Sequence, residues 1–96
     1  MAAYDLSEES DLDIADLYEY GIETYSFLQA RSYVFQLHEN FKNLAENPDI
    51  GRDASEYASG LQRYSYKAHA IFFKKVDNNI YIVRILGQRM DFKIHF

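Results

Sequence analysis

The stretch IYIVRIL, residues 80–86, constrains the fold of this chain more than any other segment, because it is apolar on both of its alternating sides. In an extended strand alternate residues share a side, so Arg84 is expected to lie beside Ile80, Ile82 and Leu86. A strand that is apolar on both sides is typical of the centre of a sheet. The pattern therefore predicts a central strand, covered on both faces, with one positive charge in its middle.

A helical repeat in the first half of the chain predicts what covers one of those faces. Ser26 and Gln29 form a capping box at its start, and Pro48 ends it. A shorter helix, capped by Ser7, is expected before it and to end at Gly21. Two helices joined by a few residues lie antiparallel as a hairpin. The longer helix is predicted from apolar residues that recur at intervals of three and four, namely Phe27, Ala30, Val34, Leu37, Phe41 and Leu44.

The remaining segments complete a β-α-α-β-β-β order. The start, AAYDLS, is strand-like, and residues 50–60 are interpreted as a loop. Strands are predicted at 61–66, 69–76 and 80–86, the last two joined by a tight turn at 77–79. The predicted fold class is α+β, in which an antiparallel helical hairpin packs on a mainly antiparallel sheet that includes the N-terminal strand. Residues 1–96 are expected to form a single domain.

Arg84 has to be accommodated in that layered arrangement. Burying an unpaired guanidinium group costs several kcal/mol, so the side chain needs a carboxylate or a path to water. We predict that Arg84 is structural and pairs with an acid of the first helix, for which Asp13 and Asp16 are the candidates.

Composition limits the class of protein. Nine Tyr and seven Phe, with 48% hydrophobic residues, argue against a disordered chain. No apolar run is long enough to span a membrane, and no secretory signal pattern is present. The absence of cysteine excludes disulfides and thiolate metal sites, and fits a protein of the reducing cytoplasm.

The charge is divided between the two halves of the chain. Residues 1–51 carry eleven acids and two bases, whereas residues 52–96 carry eight bases and four acids. The acidic half would repel nucleic acid, and the basic half is suited to an acidic surface. The bases and aromatics around Tyr64, Tyr66 and Lys67 are therefore interpreted as strand residues and edge lysines, not as an RNA-binding surface.

The sequence contains no recognisable catalytic constellation. His38, His69 and His95 stand too far apart to indicate a metal site. The glycines form no phosphate loop, and no serine lies in a nucleophile elbow. We predict no catalytic residue, no metal and no cofactor.

Five short motifs, in order and across nearly the whole chain, resemble the RelE/ParE toxin superfamily. They are DI-x-x-L-x-x-Y at 13–20, ENPDIGR at 46–52, GLQRY at 60–64, HAIFF at 69–73 and IVRILGQRMD at 82–91. The last is close to the pattern of the ParE branch. The resemblance implies the toxin of a type II toxin–antitoxin pair, in the cytoplasm, that is neutralised by a cognate antitoxin.

The superfamily contains two activities. The ParE branch inhibits DNA gyrase by binding and is not an enzyme, whereas the RelE branch cuts mRNA on the ribosome. The RelE branch has an arginine, a lysine and a tail tyrosine at positions that correspond here to Ala70, Leu61 and His95. Cleavage of RNA needs a base, an acid and cations. Because Ala70 and Leu61 replace two of the cations and His95 replaces the tyrosine, gyrase inhibition is the favoured interpretation. Departures from the family pattern at Ala58, Gln62 and Gly87 leave open a ParE-fold toxin with another target.

The resemblance also implies contact sites. The segment after the central strand is expected to be exposed, and a methionine flanked by charges suits a protein contact. We predict that Arg89, Met90 and Asp91 bind the target, with weaker candidates at Arg63, Lys74 and Lys75. Such antitoxins are typically acidic segments that fold around the toxin. Their contact is predicted on a groove beside the hairpin that includes Tyr64, Tyr66 and Phe72.

Overall fold

The protein consists of a helical hairpin laid against a five-stranded sheet. The computed structural model describes residues 2–96. Its elements are β1 (Tyr4–Leu6), α1 (Glu8–Thr24), α2 (Phe27–Glu46), β2 (Arg52–Asp53), β3 (Gln62–Tyr66), β4 (His69–Val76) and β5 (Asn79–Gly87), with 3-10 turns at Pro48–Ile50 and Phe92–His95. The strand order is β1-β5-β4-β3-β2, in which β1 runs parallel to β5 and the other pairs are antiparallel. The predicted α+β class and β-α-α-β-β-β order are confirmed, and β2 is a short addition within the segment expected to be a loop.

The helix starts follow from capping, but the predicted end of α1 is wrong. The hydroxyl of Ser7 accepts a hydrogen bond from the Ser10 amide at 3.0 Å, and that of Ser26 accepts one from Gln29 at 3.1 Å. Gly21 was expected to end α1, yet the helix continues to Thr24. A Cβ atom on Gly21 would lie 3.0 Å from the Cβ of Ala30. This glycine therefore allows α1 and α2 to approach closely.

Two apolar clusters occupy the two faces of the sheet. The cluster under the helices joins α2 to the sheet through Leu37, Phe41, Leu44, Ala45, Ile71, Phe73, Ile80, Ile82 and Ile85. The cluster on the far face contains Ala54, Leu61, Ala70, Phe72 and Leu86, and the partly buried Tyr57 and Phe92 pack against it. The central strands β4 and β5 thus have buried residues on both sides, which the pattern of residues 80–86 predicted for β5. None of the helices within residues 2–96 has the length and apolar character needed to cross a membrane.

A β-bulge in β5 changes which side each residue occupies. Ile82 is opposite Phe73 and Arg84 is opposite Phe72, so Val83 has no partner in β4. The extra residue shifts the alternation by one, and Ile85 joins the cluster under the helices. Simple alternation predicted that Arg84 shares a side with Ile80 and Ile82. That prediction is wrong, because the bulge moves Arg84 to the other side. It lies opposite Phe72, whose cluster fills the far face of the sheet.

Candidate functional site

An open groove of about 1030 Å³ separates the helical hairpin from one end of the sheet. Its helical wall includes Leu17 and Tyr20 of α1 together with Ala30 and Tyr33 of α2. The opposite wall is built from the end of β5, the β3–β4 turn, and the segment that follows β5. Because Leu17 and Tyr20 stand three residues apart on α1, they share one face of that helix.

The sheet-side rim of the groove is held by hydrogen bonds between two turns. The Gln88 amide donates to the Ala68 carbonyl at 2.9 Å, and the Gln88 side-chain amide donates to the His69 carbonyl at 3.1 Å. These bonds place the next two residues, Arg89 and Met90, beside the β3–β4 turn. Both line the groove and both are exposed, Met90 to 42%. The rim thus combines a cation with an accessible apolar side chain.

A polar cluster lies at the base of this rim. The hydroxyl of Tyr33 is 2.6 Å from Nδ1 of His69, and the hydroxyl of Tyr66 donates to the Gln36 side-chain oxygen. Burial, followed by the proximity of Tyr66, raises the pKa of Tyr33 to about 12. Burial lowers the pKa of His69. At neutral pH the Tyr33 hydroxyl is therefore protonated and the His69 ring is neutral, so this pair carries no charge.

The two half-buried histidines predict a loss of stability in mild acid. Burial, and secondarily the charge of Lys42, lowers the pKa of His38, as burial does for His69. The unfolded chain therefore binds protons near the ordinary pKa of 6.5, where the folded chain does not. Stability present above that pH should be lost as the pH falls through the folded pKa values. We expect the free energy of unfolding in denaturant titrations to decrease as the pH falls below about 6.5. The double variant His38→Gln/His69→Gln should show a smaller decrease, and an equal one would contradict this origin.

Arg84 is neutralised by α1 at the edge of the groove. Its Nε and Nη2 atoms donate to the two carboxylate oxygens of Asp13 at 2.8 and 2.9 Å. The same carboxylate accepts the Ile85 amide at 2.9 Å, and a Glu9 oxygen lies 3.8 Å from Nη1. The bonds with Asp13 raise the pKa of Arg84. Asp16, the other acid considered from the sequence, instead lies exposed on the helical wall of the groove.

Asp13 also replaces a missing strand neighbour. β1 pairs with β5 from Ile80 to Ile82, and Ser7 then bonds the Ile82 carbonyl through its amide and the Val83 carbonyl through its hydroxyl. Beyond that point the edge of β5 faces α1, where Asp13 receives the Ile85 amide. The ion pair therefore closes the sheet edge that β1 is too short to cover.

The residues predicted to bind the target do not form one surface. Arg89 and Met90 line the groove, and Asp91 follows them, where its carboxylate accepts the Lys93 amide at 3.2 Å. The Arg63 guanidinium lies over the Phe92 ring, 5.6 Å from its centroid. Because Arg63 is opposite Phe72 in the sheet, it belongs to the far face and not to the groove.

The predicted edge lysines lie away from the groove. Lys75 forms an ion pair with Asp49 at 2.6 Å, near the end of β4 that is farthest from His69. Lys74 precedes it and is half-buried. Neither residue lines the groove.

The structure also separates the residues predicted for the antitoxin groove. Tyr64 and Tyr66 are half-buried against the helix-side cluster, whereas Phe72 is fully buried on the far face. Sequence reasoning missed Tyr33 and His69, which meet although 36 positions separate them. No spacing signal indicates such a pair. Within residues 2–96, no three His, Asp or Glu side chains are grouped as a metal site would require.

Comparisons with known proteins agree with this architecture. A family model described as the ParE toxin of the type II toxin–antitoxin system parDE matches residues 4–92. Toxin ParE1 of Caulobacter vibrioides is 27% identical over 95 residues, which cover 99% of this chain and 98% of that protein. Toxin ParE1 of Mycobacterium tuberculosis is 29% identical over 89 residues, 92% of this chain and 91% of that protein.

A solved structure shares the fold. The chromosomal ParDE TA system from P. aeruginosa contains a chain that superposes with a TM-score of 0.76 at 17% identity, over 91% of this chain and 95% of that one. The family indicated by the short motifs is confirmed, since its model spans the sheet, the hairpin and the rim of the groove. The chain belongs to the ParE family, the toxins of type II toxin–antitoxin systems.

Proposed function

We propose that this chain acts in the cytoplasm by binding DNA gyrase through the groove rim that carries Arg89 and Met90, and that its cognate antitoxin neutralises it by occupying the groove. The observation that carries the proposal is the rim itself. It presents an exposed guanidinium and an exposed thioether beside a wall of aromatic and aliphatic side chains. Arginine and methionine are enriched at protein interfaces, where lysine and acids are depleted.

Burial at the corresponding positions supports binding over RNA cleavage. Ala70 and Leu61, which occupy the places of a RelE-branch arginine and lysine, are both 0% exposed in the far-face cluster. A phosphate could not reach either position without opening the core. Among the residues that line the groove, His69 is the one histidine, and its Nδ1 atom already meets the Tyr33 hydroxyl. The chain therefore acts on its target by contact and not by proton transfer.

The antitoxin is the occupant that suits the groove. Its walls present Leu17, Tyr20 and Tyr33, which an amphipathic helix can cover with its apolar face. An acidic segment is favoured because residues 52–96, which supply the sheet-side rim, carry eight bases and four acids. Occupation of the groove would cover Arg89 and Met90. One contact would thus both bury the apolar wall and withhold the rim from gyrase.

The test is an assay of purified gyrase with and without the purified chain. We expect loss of DNA supercoiling or accumulation of cleavage complexes, and no effect on message in a translating ribosome assay. Arg89→Ala should weaken inhibition about tenfold or more, because an interface arginine is a frequent hot spot. Its thermal unfolding should not change, since Arg89 is exposed. Lys42→Ala is the matched control, an exposed cation of α2 outside the groove that should retain full inhibition.

Two outcomes would overturn the proposal. Cut message with normal gyrase activity would assign the chain to the ribonuclease class. Normal activity in both assays, with the chain still toxic when expressed without antitoxin, would assign it a different target.

A further inference from the structure

Two cations on the sheet-side rim have no carboxylate partner among residues 2–96. The Lys67 ammonium donates to the neutral Gln36 side-chain oxygen at 3.2 Å and lies 5.4 Å from the centroid of the Tyr66 ring. Arg89 forms no salt bridge within that part of the chain, whereas Arg84 is held by Asp13. Both rim cations are exposed and both line the groove. Their charges are therefore available to a binding partner.

The backbone segments that carry the two cations are also hydrogen-bonded to each other. Lys67 is the first residue of the turn between β3 and β4, and Ala68 is the second. Ala68 accepts the Gln88 amide, and Arg89 follows Gln88 directly. The rim backbone is thus already hydrogen-bonded to itself. At the sheet-side rim, a binding partner in the groove would therefore meet side chains and not the free backbone groups of a strand edge.

Lys67 stands at a backbone position that is unfavourable for lysine. Its φ is 51°, in the left-handed region, at the first residue of a two-residue hairpin turn. Glycine or asparagine is preferred there, and another side chain costs about 1 kcal/mol. Because Lys67 is exposed, no core packing explains its presence. A strained residue with an unpaired charge at the rim of a groove points to a contact outside the chain.

We propose that Lys67 and Arg89 form a cationic clamp that binds a carboxylate on an acidic amphipathic helix of the cognate antitoxin, and that this contact fixes the direction of the helix in the groove. The inference rests on the proposed function, in which the antitoxin occupies this groove. The opposite, helical wall presents the Asp16 carboxylate. The groove is therefore positive on its sheet side and negative on its α1 side. An antitoxin helix with acids along one side and hydrogen-bond donors along the other fits this groove in one direction. In the opposite direction its acids would face the Asp16 carboxylate and be repelled.

The clamp is tested by measuring the dissociation constant of the cognate antitoxin with purified variants at low and high salt. Lys67→Met removes the charge at nearly constant length and should weaken binding about tenfold or more, with less effect in high salt. Arg89→Met should weaken it similarly, and Lys67→Arg should retain most of the affinity. Lys67→Gly should raise the melting temperature while weakening binding, which separates the contact from folding. Lys42→Met, outside the groove, should bind as the unmodified chain does.

An acid-to-amide scan of the antitoxin identifies the partner of the clamp. One Asp→Asn or Glu→Gln change should weaken binding, and its effect should vanish in the Lys67→Met background. The clamp is wrong if both methionine variants bind normally while Tyr20→Ala, on the groove wall, weakens binding. If Tyr20→Ala also binds normally, the antitoxin does not use the groove, and the proposed mode of neutralisation fails together with the clamp.

Discussion

Replacing Asp13 by alanine is expected to lower the free energy of unfolding by about 3 kcal/mol, measured by urea titration. The change removes both carboxylate bonds of Arg84, whose side chain is only 16% exposed, and leaves a poorly solvated guanidinium unpaired. It also removes the acceptor of the Ile85 amide. Three bonds are lost through one substitution, because a single carboxylate serves both a side chain and a strand edge.

Two variants separate this network from a general effect on α1. Asp13→Asn should be less destabilising than Asp13→Ala, since the amide oxygen still accepts one of the bonds. Asp16→Ala, one turn further along α1 and exposed, should change stability by less than about 0.5 kcal/mol. A cost for Asp13→Ala as small as that of Asp16→Ala would show that the ion pair does not stabilise the fold.

Phe72→Ala is expected to cost about 4 kcal/mol of unfolding free energy, from the lost apolar burial and the cavity that remains. Phe72 is 0% exposed, and its ring centroid lies 5.1 Å from that of Phe92 and 4.9 Å from that of Phe96. These rings hold the segment after β5 against the far face of the sheet. The variant should therefore also show faster amide hydrogen exchange in residues 92–96.

Phe35→Ala is the matched control for the loss of an aromatic ring. Phe35 is 64% exposed on α2, so its removal should change stability by less than about 0.5 kcal/mol. A tightly folded Phe72→Ala variant with unchanged exchange in the tail would mean that the far-face cluster is not a second core.

Local signals predicted most of the fold. The hydroxyls of Ser7 and Ser26 start the two helices because each accepts an amide three residues ahead. Pro48 follows the end of α2 because proline cannot continue a helix. Gly21 was misjudged for a physical reason. Its role depends on the nearness of Ala30 on the other helix, and the local sequence does not contain that information.

The side on which Arg84 lies could not be predicted, because it depends on a bulge. A single unpaired residue, Val83, reverses the alternation of everything after it in β5. The acid nevertheless came from the expected helix, since the edge of β5 beyond β1 is adjacent to α1. The position of each acid around the axis of α1 decides which one pairs with Arg84. Asp13 contacts strand β5, whereas Asp16 points to the groove.

A groove lies beside the hairpin, but Tyr64, Tyr66 and Phe72 are not among the residues that line it. Alternation in the sheet places Tyr64 and Tyr66 on the helix side and Phe72 on the far face. The rim is made by contacts between distant turns, such as Gln88 with Ala68, which leave no periodic trace in the sequence. Arg89 and Met90 are exposed, as expected for residues that follow the end of a central strand.

The parallel pairing of β1 with β5 has a consequence for biosynthesis. Ser7 donates to the Val83 carbonyl, a partner 76 positions later. Domains fold as units while the ribosome synthesises them, and contacts of long sequence separation form late. β1 thus leaves the exit tunnel long before its partner β5, and the groove wall formed by the end of β5 is not assembled on a half-made polypeptide.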